Sequence, residues 1–552
     1  MLPYKKILAF FLLFLIMITG CSKLHEKLNS SLTSTETASA LGAQGTALLL
    51  QSAYIDLATP FTDQGNVFSL EENAADECLV VTRGADWDDN GVWRVLHNHS
   101  WDANHAQVLT VFNNLNKLSF DATNVLNFSP TPGQAAEARF LRCMALYHLL
   151  DLYGQYPFRN PGDNLLIAPQ VKSGAEAIDF IISELNAALP DLSPANTMTQ
   201  ANPDAVRVLL MRCLLNKGAF LNRQNPTFDP ADMQQVITIG DSIINSGKYR
   251  YMSNYFDNFD VVRGGSNSTE GIFAYPNQSG VSTGHTTPGE GGNGIEARWN
   301  MTLHYNSYTP VNPNAGWNGF ATISDFYSAF GVTKPVTFTP VDTLLDTRIG
   351  GRYYPGATNV SGIRPGFLVG QQYNENGAPI KDRKGNPLAY TPQISPDMIE
   401  RGNNLEVTGI RVVKYVPDFT NNGKYYSGPA GNWLMIFRYP EVVLMVAEAK
   451  LRTGDDAGAL ALVNELRAAR GAPLLTSLPL VNPSNVNDPN TLLSERGREL
   501  YWESVRRTDL IRFGVFLQPW QYKPSDNPKF LLYPIPAQAV AANPNLKQNP
   551  GY

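Results

Sequence analysis

The stretch EARFLRCMALYHLLDLYG at residues 137–154 carries two apolar stripes. Phe140, Cys143, Met144 and Tyr147 recur at three- and four-residue spacing along one helical face, and Leu141, Ala145, Leu149 and Leu152 along another. A helix with one stripe covers the edge of a core, whereas two stripes require cover on both sides. Stacked antiparallel helix pairs supply that cover repeatedly and leave weak internal repeats. The runs TALLLQSAYIDLA, VLTVFNNLNKL, AIDFIISELNAAL, AVRVLLMRCLLNKGAF and MQQVITIGDSIINSG share the spacing. A mostly α fold is therefore expected, in which tetratricopeptide-like helix pairs build a superhelical scaffold.

The theme returns in FRYPEVVLMVAEAKLRTGDDAGALALVNELRAARG. Pro440 suits a helix's first turn, where its missing N–H costs nothing. Gly454 ends that helix, Asp455 is placed to cap the next, and Ala459, Leu462, Val463 and Leu466 form a stripe before Gly471. This unit looks like a tetratricopeptide repeat. Further on, SERGRELYWESVRRTDLIRFG reads as one charged helix packed through Leu500, Trp502, Val505, Leu510 and Ile511. Glu495 with Arg498, and Glu503 with Arg506 and Arg507, are expected to pair along its exposed face as scaffold.

From about residue 253 to 433 the helical period gives way to turn-rich text such as RGGSNSTEG and TPVNPNAGWNG. Loops this long are functional or disordered. Phe256, Phe259, Phe273, Tyr275, Trp299, Tyr305, Tyr308, Trp317 and Phe320 argue against disorder, which is poor in aromatics. An ordered, irregular lobe packed on the helices is expected.

At the other end, Lys5 and Lys6 precede an apolar run at residues 7–18, short of the roughly 20 residues that span a bilayer. Residues 1–20 read as an export signal. Thr19 and Gly20 before Cys21 look like the lipobox of bacterial lipoproteins, which makes Cys21 the lipidation site and first mature residue. Two or more acyl chains hold a protein stably at a membrane. Residues 21–37 read as a flexible tether, residues 38–250 as an N-terminal helical part, and residues 251–552 as a C-terminal part that includes the lobe and forms one compact unit with the first.

Hydrophobic residues make up 43% of the chain and charged residues 17%, the balance of a globular body. Net charge is -6, and loss of Lys5 and Lys6 makes the mature body more acidic, so no nucleic-acid partner is expected. Cys78, Cys143 and Cys213 are too few for a disulfide framework. Motifs that suggest chemistry fail in context. GVSTG at 280–284, followed by His285, lacks the strand and helix of a nucleophile elbow, so Ser282 reads as a turn serine. GEGGNG at 289–294 has no βαβ setting. His97, His99 and His105 lack supporting ligands and read as surface or hydrogen-bonded histidines. Asp86, Asp88 and Asp89 read as an acidic turn. No enzymatic activity, cofactor or metal is expected.

RYPEVVLMVAEA, SERGRELYWESVRRTDLIRFG and the terminal YPIPAQAVAANPNLKQNPGY are together similar to the RagB/SusD family of glycan-binding outer-membrane lipoproteins of Bacteroidetes. Asp76-Glu77, EGIFAY at Glu270, DTR at Asp346, VVKY at Val412 and the lipobox support the resemblance. It implies a SusD-like fold and a non-catalytic lipoprotein on the outer membrane, facing the cell exterior. Such a protein captures oligosaccharides and delivers them to a TonB-dependent, SusC-like transporter. Relatives that handle peptides leave a peptide or protein ligand as the alternative, with a secreted glycoside hydrolase as a third reading. One departure concerns display: Glu26 is the lone acid in the SKLHEK that follows Cys21, so exterior exposure rests on the partner and not on an acidic sorting signal.

A pyranose ring has an apolar C–H face and a hydroxyl rim, so Trp and Tyr are expected to stack on the first while Asn, Asp and Arg bond to the second. The resemblance points to the segment after Asp76-Glu77 and to the lobe for this arc. TRGADWDDNGVWRVL offers Trp87 and Trp93 with Arg83, Asp86 and Asn90, and the lobe offers Trp299, Tyr305 and Trp317. These are the candidate ligand-binding residues.

Overall fold

The computed structural model describes residues 42–280, 294–307, 316–331, 346–350, 364–374, 378–418 and 430–552. Cys21 with its signal and tether, Ser282, His285, Tyr308 and nearly all of the two glycine-bearing motifs lie outside the described residues.

The scaffold comprises α1 (Ala43–Ile55), α2 (Ala106–Asn127), α3 (Pro132–Tyr153), α4 (Gly174–Ala188), α5 (Pro203–Leu221), α6 (Pro230–Ile244), α7 (Tyr439–Arg452) and α8 (Asp456–Ala469). From α2 to α8 each packs against the next, and α1 lies on α2 and α3. Both stripes of α3 are buried, and each large apolar side chain so buried favours the fold by about 1.5–3 kcal/mol. Helix starts follow local chemistry. Thr131 and Gln134 form a capping box on α3, while Asn202, Asp229 and Asp455 cap α5, α6 and α8. The contact of α6 with α7 joins helices from opposite sides of the lobe. It is close because Gly240 has no side chain: a Cβ there would sit 2.1 Å from Cγ2 of Val446.

Short strand pairings hold the lobe. Gly271–Tyr275 runs antiparallel to Leu434–Arg438, Gly366–Leu368 to Arg411–Val413 and Leu79–Val80 to Phe320–Ala321, while Thr82–Arg83 runs parallel to Ile399–Glu400.

The charged C-terminal segment departs from the single exposed helix expected of it. Helix α9 (Leu492–Leu500) ends, residues 501–505 break the path, and α10 (Arg506–Arg512) follows. Trp502 and Ser504 take left-handed backbone, with φ of 58° and 60°. Their N–H groups donate to Glu77 (3.1 Å) and Glu72 (2.5 Å), which satisfies the broken turn. Glu495 does pair with Arg498. Because the break redirects the chain, Glu503 pairs instead with Lys414 and Arg438, Arg506 with Asp76 and Arg507 with Asp151.

These charges are buried, not exposed. Glu499 accepts from Arg438 (3.0 Å), Arg470 (2.8 Å) and Arg348 (3.2 Å), and Glu270 from Arg438 (2.7 Å) and Arg470 (2.8 Å); all five side chains are fully buried. Burial alone would raise the Glu499 carboxyl, but Arg470 and Arg438 hold it at about 2. At the helix break the balance reverses. Burial pushes Glu72 up to about 7 and raises its hydrogen-bonded neighbour Glu77 as well.

The two groups act oppositely on stability. Glu499, depressed in the fold, contributes stability that is present above the ordinary carboxyl range and lost as pH falls from about 4.5 toward about 2. Glu72, raised in the fold, weakens it by an amount that is absent below about pH 4.5 and complete above about 7. The melting temperature should therefore carry an acid-side loss from Glu499 below about pH 4.5 and a neutral-side loss from Glu72 between about 4.5 and 7. Calorimetry of Glu72→Gln should show a flatter neutral limb and an unchanged acid limb; an unaltered neutral limb would contradict the assignment. Glu499→Gln, which strands buried guanidinium groups, should cost about 3–5 kcal/mol in chemical denaturation.

Candidate functional site

Residues 83–91, RGADWDDNG, have an unusual backbone. Gly84, Trp87, Asp89, Asn90 and Gly91 all take positive φ, at 71°, 60°, 38°, 54° and 80°. Glycine does so freely, whereas other residues give up about 1–2 kcal/mol each. Such strain persists where the surroundings over-determine it, and it gathers at ligand sites. Here the surroundings are specific. Arg83, buried beneath the loop, donates to the carbonyls of Asn318 (2.7 Å), Thr408 (2.7 Å) and Leu405 (3.0 Å) and to Oγ1 of Thr408 (3.1 Å). Together with the strand pairings at 79–83, this side chain fastens three distant segments into one floor.

An aromatic group stands on that floor. Trp87 meets Trp93 and Phe320 edge-on, with centroids 5.7 and 5.3 Å away, and Trp317 at 6.4 Å with a 43° tilt. Its indole N–H donates to the Trp317 carbonyl at 2.6 Å. Trp87 lies tight against Gly319, where a Cβ would be 2.3 Å from its Cε2. Trp87, Trp317 and Tyr305 are half-buried, which leaves ring surface open to solvent.

Beside the rings runs a chain of charges. The Tyr305 hydroxyl donates to Asp86, and the Arg383 guanidinium lies 3.9 Å above the Tyr305 ring. Arg383 also reaches Asp86 at 3.7 Å and Glu406 at 2.6 Å, and Glu406 bonds Nε2 of His304 at 2.8 Å. Burial, then the Asp86 contact, raises the Tyr305 phenol, so it remains a donor. Burial holds His304 down at about 4, leaving it neutral at physiological pH. Burial would raise Glu406, but hydrogen bonds from Arg383 and His304 keep it below the usual carboxylate range. Asp86 and Arg383 keep 45% and 47% of their side chains exposed, available to a ligand's hydroxyls.

The structure thus brings Arg83, Asp86, Trp87, Trp93, Tyr305 and Trp317 into one neighbourhood, with distinct parts. Arg83 and Trp93 are buried supports, Trp93 bonding Asp89 at 2.7 Å. Asn90 sits exposed on the strained loop. Trp299 corrects the expectation of a platform there: it is 0% exposed in the wholly buried turn Ala297–Asn300, and no ring face is open. Arg383, Glu406 and His304 join the site without being among the residues that the sequence singles out. Arg383 lies in the turn IKDRKGNP, held by Asp382 accepting from the N–H groups of Lys384 (2.9 Å) and Asn386 (2.8 Å), and no local spacing ties it to Tyr305. Elsewhere, His97 is buried between the carbonyls of Cys78 (3.1 Å) and Gln521 (3.0 Å), and His99 between Asp526 (2.6 Å) and Ala74 (2.9 Å).

The SusD family profile matches residues 252–552. The starch-binding protein SusD of Bacteroides thetaiotaomicron is 26% identical over 508 residues, spanning 88% of this chain and 85% of its own. Among solved structures, a SusD-like protein from Bacteroides fragilis is 19% identical and superposes with a TM-score of 0.66, covering 92% of this chain and 97% of its own. Surface glycan-binding protein A from Bacteroides thetaiotaomicron, in complex with laminarihexaose, is 18% identical with a TM-score of 0.62, covering 91% and 98%. A profile match over more than half of the chain, on a helical scaffold that superposes along nearly its whole length, places this protein in the SusD family.

Proposed function

We propose that this protein is a non-catalytic, lipid-anchored glycan-binding protein of the outer membrane, facing the cell exterior and delivering oligosaccharides to a TonB-dependent transporter. The observation that carries the reading is the set of half-open rings of Trp87, Trp317 and Tyr305 on a strained loop, bordered by Asp86 and Arg383. Two indoles tilted by 43° suit a bent chain of pyranose rings better than a flat one. The names of two relatives, one starch-binding and one bound to laminarihexaose, make glucans the first probes. A glycosidase needs two carboxyl groups set on either side of the scissile bond, whereas the charges beside these rings form an Asp86–Arg383–Glu406 chain along one border, an arrangement that favours binding over hydrolysis.

Attachment is assigned to Cys21 from the signal and lipobox before it. Among the described residues no helix is long and apolar enough to cross a membrane. The transporter partnership rests on the family.

Affinity electrophoresis in gels containing starch or laminarin should reveal retardation by at least one glucan. By calorimetry, Trp87→Ala and Trp317→Ala should each weaken binding of the retained oligosaccharide by about 1–3 kcal/mol. Gly319→Ala should weaken it too, by pushing Trp87 off its seat. Affinities unchanged in both tryptophan variants would remove the site. Cys21→Ser should move the protein from the membrane pellet to the soluble fraction, and its persistence in washed membranes would refute the anchor.

A further inference from the structure

Large exposed apolar side chains gather at one place. Leu165, Leu166 and Ile167 are 61%, 95% and 64% exposed on the turn that links strands Gln155–Phe158 and Gln170–Ser173. Three successive bulky apolar residues turned toward water mark a contact surface. The turn is well tied. Arg159 donates to the carbonyls of Asn164 (3.0 Å) and Ile167 (2.6 Å), Leu166 N–H to Oδ1 of Asn164 (2.9 Å), and Asn160 N–H to Asp163 (2.7 Å). Such a preformed tip loses little freedom on contact.

Its position indicates what it meets. The Gly162 N–H donates to Oδ1 of Asn127 at the end of α2 (2.5 Å), and the carbonyl of the next residue, Phe128, accepts from Thr46 in the first turns of α1 (2.7 Å). The tip therefore lies at the end of the molecule where the chain arrives from Cys21. Only 20 residues, 22–41, lie between Cys21 and Gly42, which limits the separation of anchor and body to roughly 70 Å. At that range the bilayer is present at a high effective concentration, and a weak second contact is enough to seat the body.

We propose that Leu165, Leu166 and Ile167 form a lipid-contact tip that seats the body on the bilayer surface beside its own anchor. The proposal rests on the Cys21 anchor, and it adds an orientation that an anchor alone does not impose.

The test uses the full lipidated chain carrying Leu166→Cys, labelled with a polarity-sensitive dye. Cys78, Cys143 and Cys213 are buried, so the label is directed to position 166. On vesicles of phosphatidylethanolamine and phosphatidylglycerol, the dye emission should shift to the blue and be quenched by brominated acyl chains. The triple variant Leu165→Ser, Leu166→Ser, Ile167→Ser should leave vesicles about tenfold faster, with its melting temperature unchanged. Protein that co-sediments with vesicles while the dye still reports water overturns the tip and leaves the anchor standing. Protein that fails to co-sediment, behaving as Cys21→Ser does, overturns both. A shift that appears only when another membrane protein is included overturns lipid as the occupant.

Discussion

The ring of Glu270, Arg438, Arg470 and Glu499 is the interaction through which the rest of the molecule is placed. Each member comes from a different part: Glu270 precedes one strand of the lobe, Arg438 ends its partner strand, Arg470 caps α8 and Glu499 lies on α9. Taking these groups out of water costs several kcal/mol per ion, so the ring contributes little net stability. Its effect is directional. Apolar packing tolerates many arrangements, whereas a buried guanidinium accepts only those in which its carboxylates are in reach. A lobe whose strands, among the described residues, pair only in twos gains its position from this requirement.

One strand carries that constraint to the aromatic face proposed to bind ligand. Lys414, just past Arg411–Val413, is buried against Glu503 in the ion network. Three residues earlier, Arg411 is buried beneath the site and donates to the carbonyls of Phe320 (3.3 Å) and Glu406 (3.2 Å). Arg83 then fixes the strained loop from the other side. The left-handed backbone of Trp87 and Asn90 survives because its base cannot relax, and the ring faces are presented without having to be ordered by ligand. The ionic interior and the aromatic surface are two ends of one mechanical chain.

Much of the scaffold was legible in the sequence because helix formation is decided locally. The double stripe of residues 137–154, Pro440 in a first turn and Asp455 as a cap all rest on contacts within a few residues, and each is present in the structure. Where long-range partners decide the outcome, local reading failed. Glu503 looked paired with Arg506 and Arg507 because spacing is visible and burial is not; its true partners lie at Lys414 and Arg438. Trp299 resembled Trp87 in kind, yet one is enclosed and the other half-open, a difference set by tertiary packing. Arg383 was invisible for the same reason, since its role appears only when its turn is brought over Tyr305.

Hydrogen–deuterium exchange of the full chain with and without laminarihexaose or a starch oligosaccharide tests the central claim most directly. The account predicts protection concentrated at residues 84–93, 303–307, 316–320 and 381–386. Binding accompanied by protection elsewhere, for example along the groove between α2 and the 155–173 hairpin lined by Phe112, Phe120 and Phe158, would contradict it.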